Sequence, residues 1–374
     1  MNLADIATPA FALDQGKFQR NCARMIEKCR SLGVGLRPHM KTLKAIEAAR
    51  VAIDPAHGGI AVSTLREAEY FAAEGIEDIQ YAICITPDKL PRAARLMRKA
   101  PRFGFFLDSL DAAEAVAAFA KAEQVPLRAW IEIDSGDHRT GLEPSDDRIL
   151  RIAALLAASP AMLAGVATHG GHSYGAPDTD GIAAIAEEER LGVVEAADRL
   201  RQAGFEVPGV SAGSTPTAVH MRSAEGLTEI RAGVYMAGDL FQAGIGSHGV
   251  EDIAASVVAT VISHKPERNQ IVVDAGGLAL SKDRATSALA DDMGYGLVTD
   301  LEGSPAFGRL IVAGVHQEHG EIQGEDPLPF DRLPIGSRVR ILPNHVCMTA
   351  AAHDRYLVTA GSEVRGEWDK VGGW

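Results

Sequence analysis

From about residue 35 to residue 235 the chain repeats one pattern, a short apolar run followed by a longer amphipathic stretch rich in Ala, Glu, Leu and Arg. Short apolar runs read as strands, and longer stretches with apolar positions three or four apart read as helices. Eight strands are predicted, at 35–39, 59–64, 78–83, 102–108, 127–134, 163–169, 209–214 and 228–235. Eight such βα units close into a (β/α)8 barrel, whose chemistry gathers at the carboxyl ends of the strands. No Gly-x-Gly-x-x-Gly opens a helix after the first strand, which argues against an open doubly wound sheet.

Beyond residue 250 the texture changes. Strand-like runs at 256–263, 270–274, 309–315, 337–342 and 355–359 are joined by turns rather than helices, and predict a C-terminal antiparallel β domain. The segment 8–14 is a further strand candidate for it. The expected division is a barrel over 15–250 and a β domain over 251–374 together with 1–14.

Composition narrows the function classes. The chain is 46% hydrophobic and 23% charged, with no apolar run long enough to cross a bilayer. Its start, Met1-Asn2-Leu3-Ala4-Asp5, lacks the basic and apolar segments of a secretory signal, so a cytoplasmic protein is expected. A net charge of −13 without a basic cluster argues against a nucleic-acid partner. Of four cysteines, Cys22 and Cys29 share helical spacing with Phe18, Met25 and Ile26 and read as core, as does Cys84 after its apolar run.

The polar residues that could carry chemistry fall at the predicted strand ends. Lys41, in Arg37-Pro38-His39-Met40-Lys41-Thr42, reads either as a loop lysine or as a desolvated amine able to join the aldehyde of pyridoxal phosphate. Gly213, Ser214 and Thr215, with Gly233 on the last strand, fit a phosphate site, and equally an ordinary turn. Arg139 and Arg231 suit contacts to a cofactor ring or structural ion pairs, and His169 is placed to stack on such a ring. His345-Val346-Cys347, read as extended chain, points both side chains to one side. Imidazole with thiolate favours zinc, with His316, Glu318 or His319 as a third ligand; a buried cysteine beside an unrelated histidine is the alternative.

Together the runs Leu36-Arg37-Pro38-His39-Met40-Lys41-Thr42, Gly213-Ser214-Thr215-Pro216-Thr217, Glu229-Ile230-Arg231-Ala232-Gly233-Val234-Tyr235, Asp274-Ala275-Gly276-Gly277 and Pro343-Asn344-His345-Val346-Cys347 resemble the D-serine dehydratase and D-threonine aldolase family, fold-type III pyridoxal phosphate enzymes related to alanine racemase. The resemblance implies a cofactor-binding barrel, a metal-bearing β domain and a homodimer. It makes Lys41 the Schiff-base lysine, and His345 and Cys347 the metal ligands. Arg139, Arg231, His169 and Tyr174 would meet the cofactor or substrate, and the loop at Ser214, with Gly233 and Tyr235, would hold the phosphate. His-x-Cys resembles the zinc-dependent dehydratases, whereas the aldolases have His-x-Asp. The implied activity is elimination of water from a D-3-hydroxy amino acid (D-serine, D-threonine or D-3-hydroxyaspartate) to a 2-oxo acid and ammonia. The rivals are aldol cleavage to glycine and an aldehyde, and a non-catalytic cofactor carrier. Leu43 departs from the family, where a histidine often stands, and leaves the substrate open.

Overall fold

The computed structural model describes residues 1–325 and 327–374. Strand β1, Ala10–Asp14, opens the chain. Eight short strands follow: β2 Gly35–Pro38, β3 Ile60–Val62, β4 Ile79–Cys84, β5 Gly104–Leu107, β6 Arg128–Ile133, β7 Met162–Thr168, β8 Gly209–Ala212 and β9 Glu229–Ala232. They form a parallel sheet in the order β2-β9-β8-β7-β6-β5-β4-β3. A parallel bridge between His39 and Ala61 brings its ends together, with the Met40 N–H donating to the Ala61 carbonyl at 2.8 Å.

The intervening helices follow from capping and apolar stripes. Thr64 caps Leu65–Ala73 by accepting the Glu67 N–H, and Ser109 caps Leu110–Glu123 by accepting the Ala112 N–H. Helix Arg148–Ala157 buries Ile149, Ile152, Ala153 and Leu156, a single face at helical spacing. Phe103, Phe105, Phe106 and Leu36 are among the fully buried side chains.

Polar side chains join three neighbouring strands of this sheet. Arg37 on β2 donates from Nε to both oxygens of Glu229 on β9 at 2.8 Å, and from Nη1 to Asp78 at 2.6 Å. Ser211 on β8 donates to Glu229 at 2.7 Å and accepts from Arg231 at 2.7 Å. Burial alone would raise the Glu229 carboxyl, but Arg37 and His57 outweigh it and hold it below the usual carboxylate range.

The remaining strands are β10 Ala255–Lys265, β11 Gln270–Val273, β12 Gly296–Thr299, β13 Leu310–Val315, β14 Gly320–Gln323, β15 Arg338–Pro343, β16 Arg355–Ala360 and β17 Glu363–Asp369. With β1 they form one sheet in the order β11-β14-β13-β12-β15-β10-β1-β16-β17, and β11 also pairs with β10, so six strands close on themselves. The pairings are antiparallel except that of β1 with β16, which is parallel.

By contacts the chain divides into one unit of Met1–Cys22 with Val234–Lys370 and another of Ala23–Gly233 with Val371–Trp374. The second crossing falls earlier than the expected residue 250. After β9 the chain makes no long barrel helix. It forms the short helix Leu240–Gly244, whose Leu240 packs with Ile253, Leu297 and Leu342 of the antiparallel sheet. Cys22 and Cys29 are buried and free, and burial pushes both thiols up to about 12. Cys84 is only partly buried and donates to Glu132 at 3.1 Å. Among the described residues no helix is long and apolar enough to cross a membrane.

Candidate functional site

The candidate residues gather in two groups, one in each unit. In the parallel-sheet unit, β2 ends where the His39 N–H donates to the Ala232 carbonyl at 2.7 Å. The turn that follows puts Met40 and Leu43 fully inside and leaves Lys41 exposed. Of the two sequence readings, the exposed loop lysine is the one observed for the bare chain: Met40, Thr42 and Leu43 occupy the buried positions, while the Lys41 charge still reaches the buried rings of His39 and His169. Leu43, where the family often has histidine, serves here as core.

His169, just past β7, donates from Nδ1 to the Gly213 carbonyl at 2.9 Å, which leaves Nε2 without the proton. Burial, reinforced by the charge of Lys41, lowers its pKa to about 3. Burial lowers His39 well below the usual range too, followed by Lys41, Arg231 and His169. Both rings are neutral at pH 7 beside cationic neighbours. Arg231 is buried, with Nη1 on Ser211 and Nη2 donating to the Thr168 carbonyl at 2.5 Å, and its guanidinium lies 5.3 Å from the Phe106 ring centre. Arg139 is exposed, 3.7 Å from Asp137, and close enough to contribute to the lowering of His169. Tyr174 is half-buried in the turn Gly171–Gly175.

The loop after β8 is more tightly bound within the protein than its composition suggests. Ser214 caps the short helix Thr215–His220 in a reciprocal box with Thr217: its hydroxyl accepts the Thr217 N–H and its own N–H donates to Thr217 Oγ1. The Gly213 N–H donates to Glu189 at 2.8 Å. Those two backbone donors are thus committed inside the chain rather than offered to an anion. Gly213 has φ +132°, and a Cβ there would lie 2.3 Å from the Arg231 carbonyl oxygen. The glycine is required by backbone packing between β8 and β9. At Gly233 a Cβ would fall 2.7 Å from the His39 carbonyl oxygen, the same constraint between β9 and β2. Thr215 is buried.

Glu189 is the residue of this group that sequence reasoning missed. Its carboxylate accepts the N–H of Gly170 at 2.6 Å as well as that of Gly213, and burial raises its pKa. It sits in the acidic run Glu187-Glu188-Glu189, which resembles a solvated face. The available signal is its place on the buried stripe Ile182, Ala186, Glu189, Val193.

In the antiparallel-sheet unit, His345 ends the extended chain after β15 and is the N-cap of helix Val346–Ala351. Cys347 therefore lies in a helical first turn, not on the extended segment expected. Strand alternation does not explain the pairing of the two side chains; the turn brings the imidazole and thiol within hydrogen-bond reach. His345 Nδ1 is 2.6 Å from Asp283 Oδ2. Buried Asp239 accepts the Val346 N–H at 3.0 Å and the Gln242 N–H at 2.8 Å. Burial would lower His345, but Cys347, Asp239 and Asp283 outweigh it and raise its pKa to about 9. His316, Glu318 and His319 are exposed, and His316 lies 3.1 Å from Glu321. As the side chains stand, no three His, Cys, Asp or Glu groups among the described residues are arranged to hold a metal ion. Asp283 and Asp239 were not read from the sequence. Tyr235, also in this unit, is buried in the turn Val234–Met236.

Both groups suit what the resemblance implies. Lys41, Arg139, Arg231 and two neutral imidazoles form a cationic, hydrogen-bonding set in a chain of net charge −13, a fit for an anionic ring cofactor. The thiol, imidazole and carboxylates around His345 have the donor chemistry of a transition-metal site, with Asp283 on Nδ1 in the manner of an orienting partner.

Comparison with known proteins agrees. Residues 13–240 match the family model described as alanine racemase, N-terminal domain, and residues 254–359 the one described as putative serine dehydratase domain. The chain is 42% identical to D-threo-3-hydroxyaspartate dehydratase of Delftia sp. (strain HT23) over 100% of this chain and 99% of that protein. It is 32% identical to D-serine dehydratase of Dictyostelium discoideum, covering 96% of this chain and 94% of the relative. A cysteine-to-alanine mutant of a D-threo-3-hydroxyaspartate dehydratase, solved in the metal-free form, superposes with a TM-score of 0.95 at 41% identity, covering 100% of both chains.

Proposed function

Because the chain belongs to the family that joins an alanine racemase N-terminal domain to a serine dehydratase domain, we propose that it is a pyridoxal phosphate- and metal-dependent lyase that eliminates water from a D-3-hydroxy amino acid. Its products are a 2-oxo acid and ammonia. The observation that carries the reading is the gathering of Lys41, His39, His169 and Arg231 at the carboxyl ends of neighbouring parallel strands, where exposed Lys41 bears the reactive amine.

When bound, pyridoxal phosphate supplies an electrophilic carbon and an electron sink for the Cα electron pair. Lys41 Nζ anchors it and takes the Cα proton. His169 presents a neutral face, its ring fixed through Nδ1 by Gly213. Arg231 is held rigid by Ser211 and Thr168 and keeps a positive charge at the sheet end. Arg139 and Tyr174 are further contacts for cofactor or substrate, and the loop at Gly213, Ser214 and Thr215, with Gly233 and Tyr235, is the phosphate-holding candidate through groups other than the committed Gly213 and Ser214 N–H donors. His345 and Cys347 would hold a divalent ion, which we take to be zinc. Such an ion supplies Lewis-acid stabilisation to a departing hydroxyl. The hydroxyl leaves as water, and the resulting enamine is hydrolysed to 2-oxo acid and ammonia.

The protein acts as a cytoplasmic homodimer in this reading. The greater identity to the hydroxyaspartate enzyme than to the serine enzyme favours D-threo-3-hydroxyaspartate as substrate, with oxaloacetate as product. The deciding experiment supplies D-serine, D-threonine and both D-3-hydroxyaspartates to the holoenzyme and follows 2-oxo acid and glycine together, with and without chelator. Glycine and an aldehyde without 2-oxo acid would replace elimination by aldol cleavage.

A further inference from the structure

Two hydrogen bonds bracket His345, and both come from one short piece of chain in the same unit. The Phe241 N–H donates to the carbonyl of Asn344, the residue before it, at 3.2 Å, and the N–H of Val346, the residue after it, donates to Asp239 Oδ2 at 3.0 Å. The bracketed turn is anchored in turn: the buried Asn344 amide donates to the Thr286 hydroxyl at 2.7 Å and to the Gly294 carbonyl at 2.6 Å.

Asp239 is fully buried and both of its oxygens are in use. Oδ1 accepts the Gln242 N–H at 2.8 Å and so caps its own helix, Leu240–Gly244, while Oδ2 takes a donor 107 residues away. That donor is the first N–H of helix Val346–Ala351, a group that a helix start leaves without an internal partner. The residue standing at the N-cap of that helix is His345, and its side chain makes no capping bond. Capping has passed to a remote carboxylate, which leaves the imidazole and the Cys347 thiol free for an ion.

We propose that Asp239 is a positioning residue for the metal site, holding the backbone between His345 and Cys347 so that both ligands face one ion. The proposal rests on the metal-dependent reading above. Asp239 is not itself a ligand, since its oxygens are committed to two backbone donors.

The test uses the full chain stripped of metal by chelation. Zinc(II) affinity is measured by competition with a chromogenic chelator, and cobalt(II) added alone reports bound thiolate through its sulfur-to-metal absorption. Asp239→Asn and Asp239→Ser each keep an N-cap acceptor for Gln242 and lose the acceptor for Val346. Each is expected to raise the zinc dissociation constant about 10–100-fold, the usual effect of removing a group that orients a ligand, with the cobalt–thiolate band still formed at saturation. Wild-type affinity in a folded variant overturns the assignment. A loss equal to that of Cys347→Ala would make Asp239 a ligand, and loss of the fold in both variants would make it structural; either overturns the positioning role. If only Asp239→Asn fails to fold, Asp239→Ser decides. Wild-type protein that binds neither ion, or binds both equally well after Cys347→Ala, overturns the metal reading itself and is recognised before any Asp239 variant is compared.

Discussion

His169 and Gly213 are joined by a 2.9 Å hydrogen bond from the imidazole Nδ1 to the peptide carbonyl, so a side chain after β7 is oriented by the backbone after β8. The N–H of that same glycine is held by Glu189, which also holds the N–H next to His169 on its other side, at Gly170. One carboxylate therefore sets both loops.

Removing that carboxylate is expected to loosen both. Glu189→Ala leaves two buried N–H groups without an acceptor, a loss of about 2–6 kcal/mol at about 1–3 kcal/mol for each unsatisfied group. Chemical denaturation measures the stability loss. Equilibrium dialysis of pyridoxal phosphate should show weakened cofactor binding, and Glu189→Gln, which retains one acceptor oxygen, should recover most of both.

His39 and His169 are depressed below their unfolded values, His169 to about 3, so folded protein binds fewer protons than unfolded protein between those limits. The stabilisation they give is complete above about pH 6.5 and is lost as pH falls toward the folded values. Unfolding free energy of the cofactor-free protein should decline between pH 7 and pH 4.5, and His169→Gln should flatten part of that slope. An identical slope in the variant would remove His169 from the account.

Arg37 and Glu229 are both almost wholly buried. Glu229→Ala strands the Arg37 charge beside Asp78 alone and should cost about 3–5 kcal/mol, read as a lowered denaturant midpoint. A shift under about 0.5 kcal/mol would class the pair with surface ion pairs.

Exposed Lys41 contributes little to folding, so Lys41→Ala should change stability by less than about 0.5 kcal/mol. It should abolish turnover, together with the visible absorbance of lysine-bound cofactor. A variant that keeps its colour would assign the anchor to another amine.

Cys347→Ala should abolish 2-oxo acid release while leaving cofactor absorbance in place, because the thiol belongs to the other unit from Lys41. Release that survives both the substitution and chelation would end the metal assignment.

The barrel was legible because each of its strands is an apolar run bounded by polar turns, and all eight predicted runs overlap observed strands. Three later strands went unread for physical reasons. β17, Glu-Val-Arg-Gly-Glu-Trp-Asp, is largely exposed at a sheet edge and has no continuous apolar signal. β14 has one aliphatic residue, and β12 is four residues that begin with a glycine. In the candidate site, Lys41, His345 and Cys347 stand out by residue type and neighbourhood. Glu189, Asp239 and Asp283 do not, since their roles depend on partners remote in sequence. The bend from strand to helix at His345 was missed because Val-Cys-Met-Thr carries no strong propensity for either state.

β1 lies between β10 and β16, so this strand pairs only with strands that follow the whole parallel sheet in the chain. The parallel sheet can assemble while synthesis continues, but Phe11 and Leu13 must wait for β10 and β16 before they are covered. A fragment beginning near residue 250 would lack the strand at the middle of one flank of its sheet. An N-terminal fusion that restrains residues 10–14 would delay the last step of folding rather than the first.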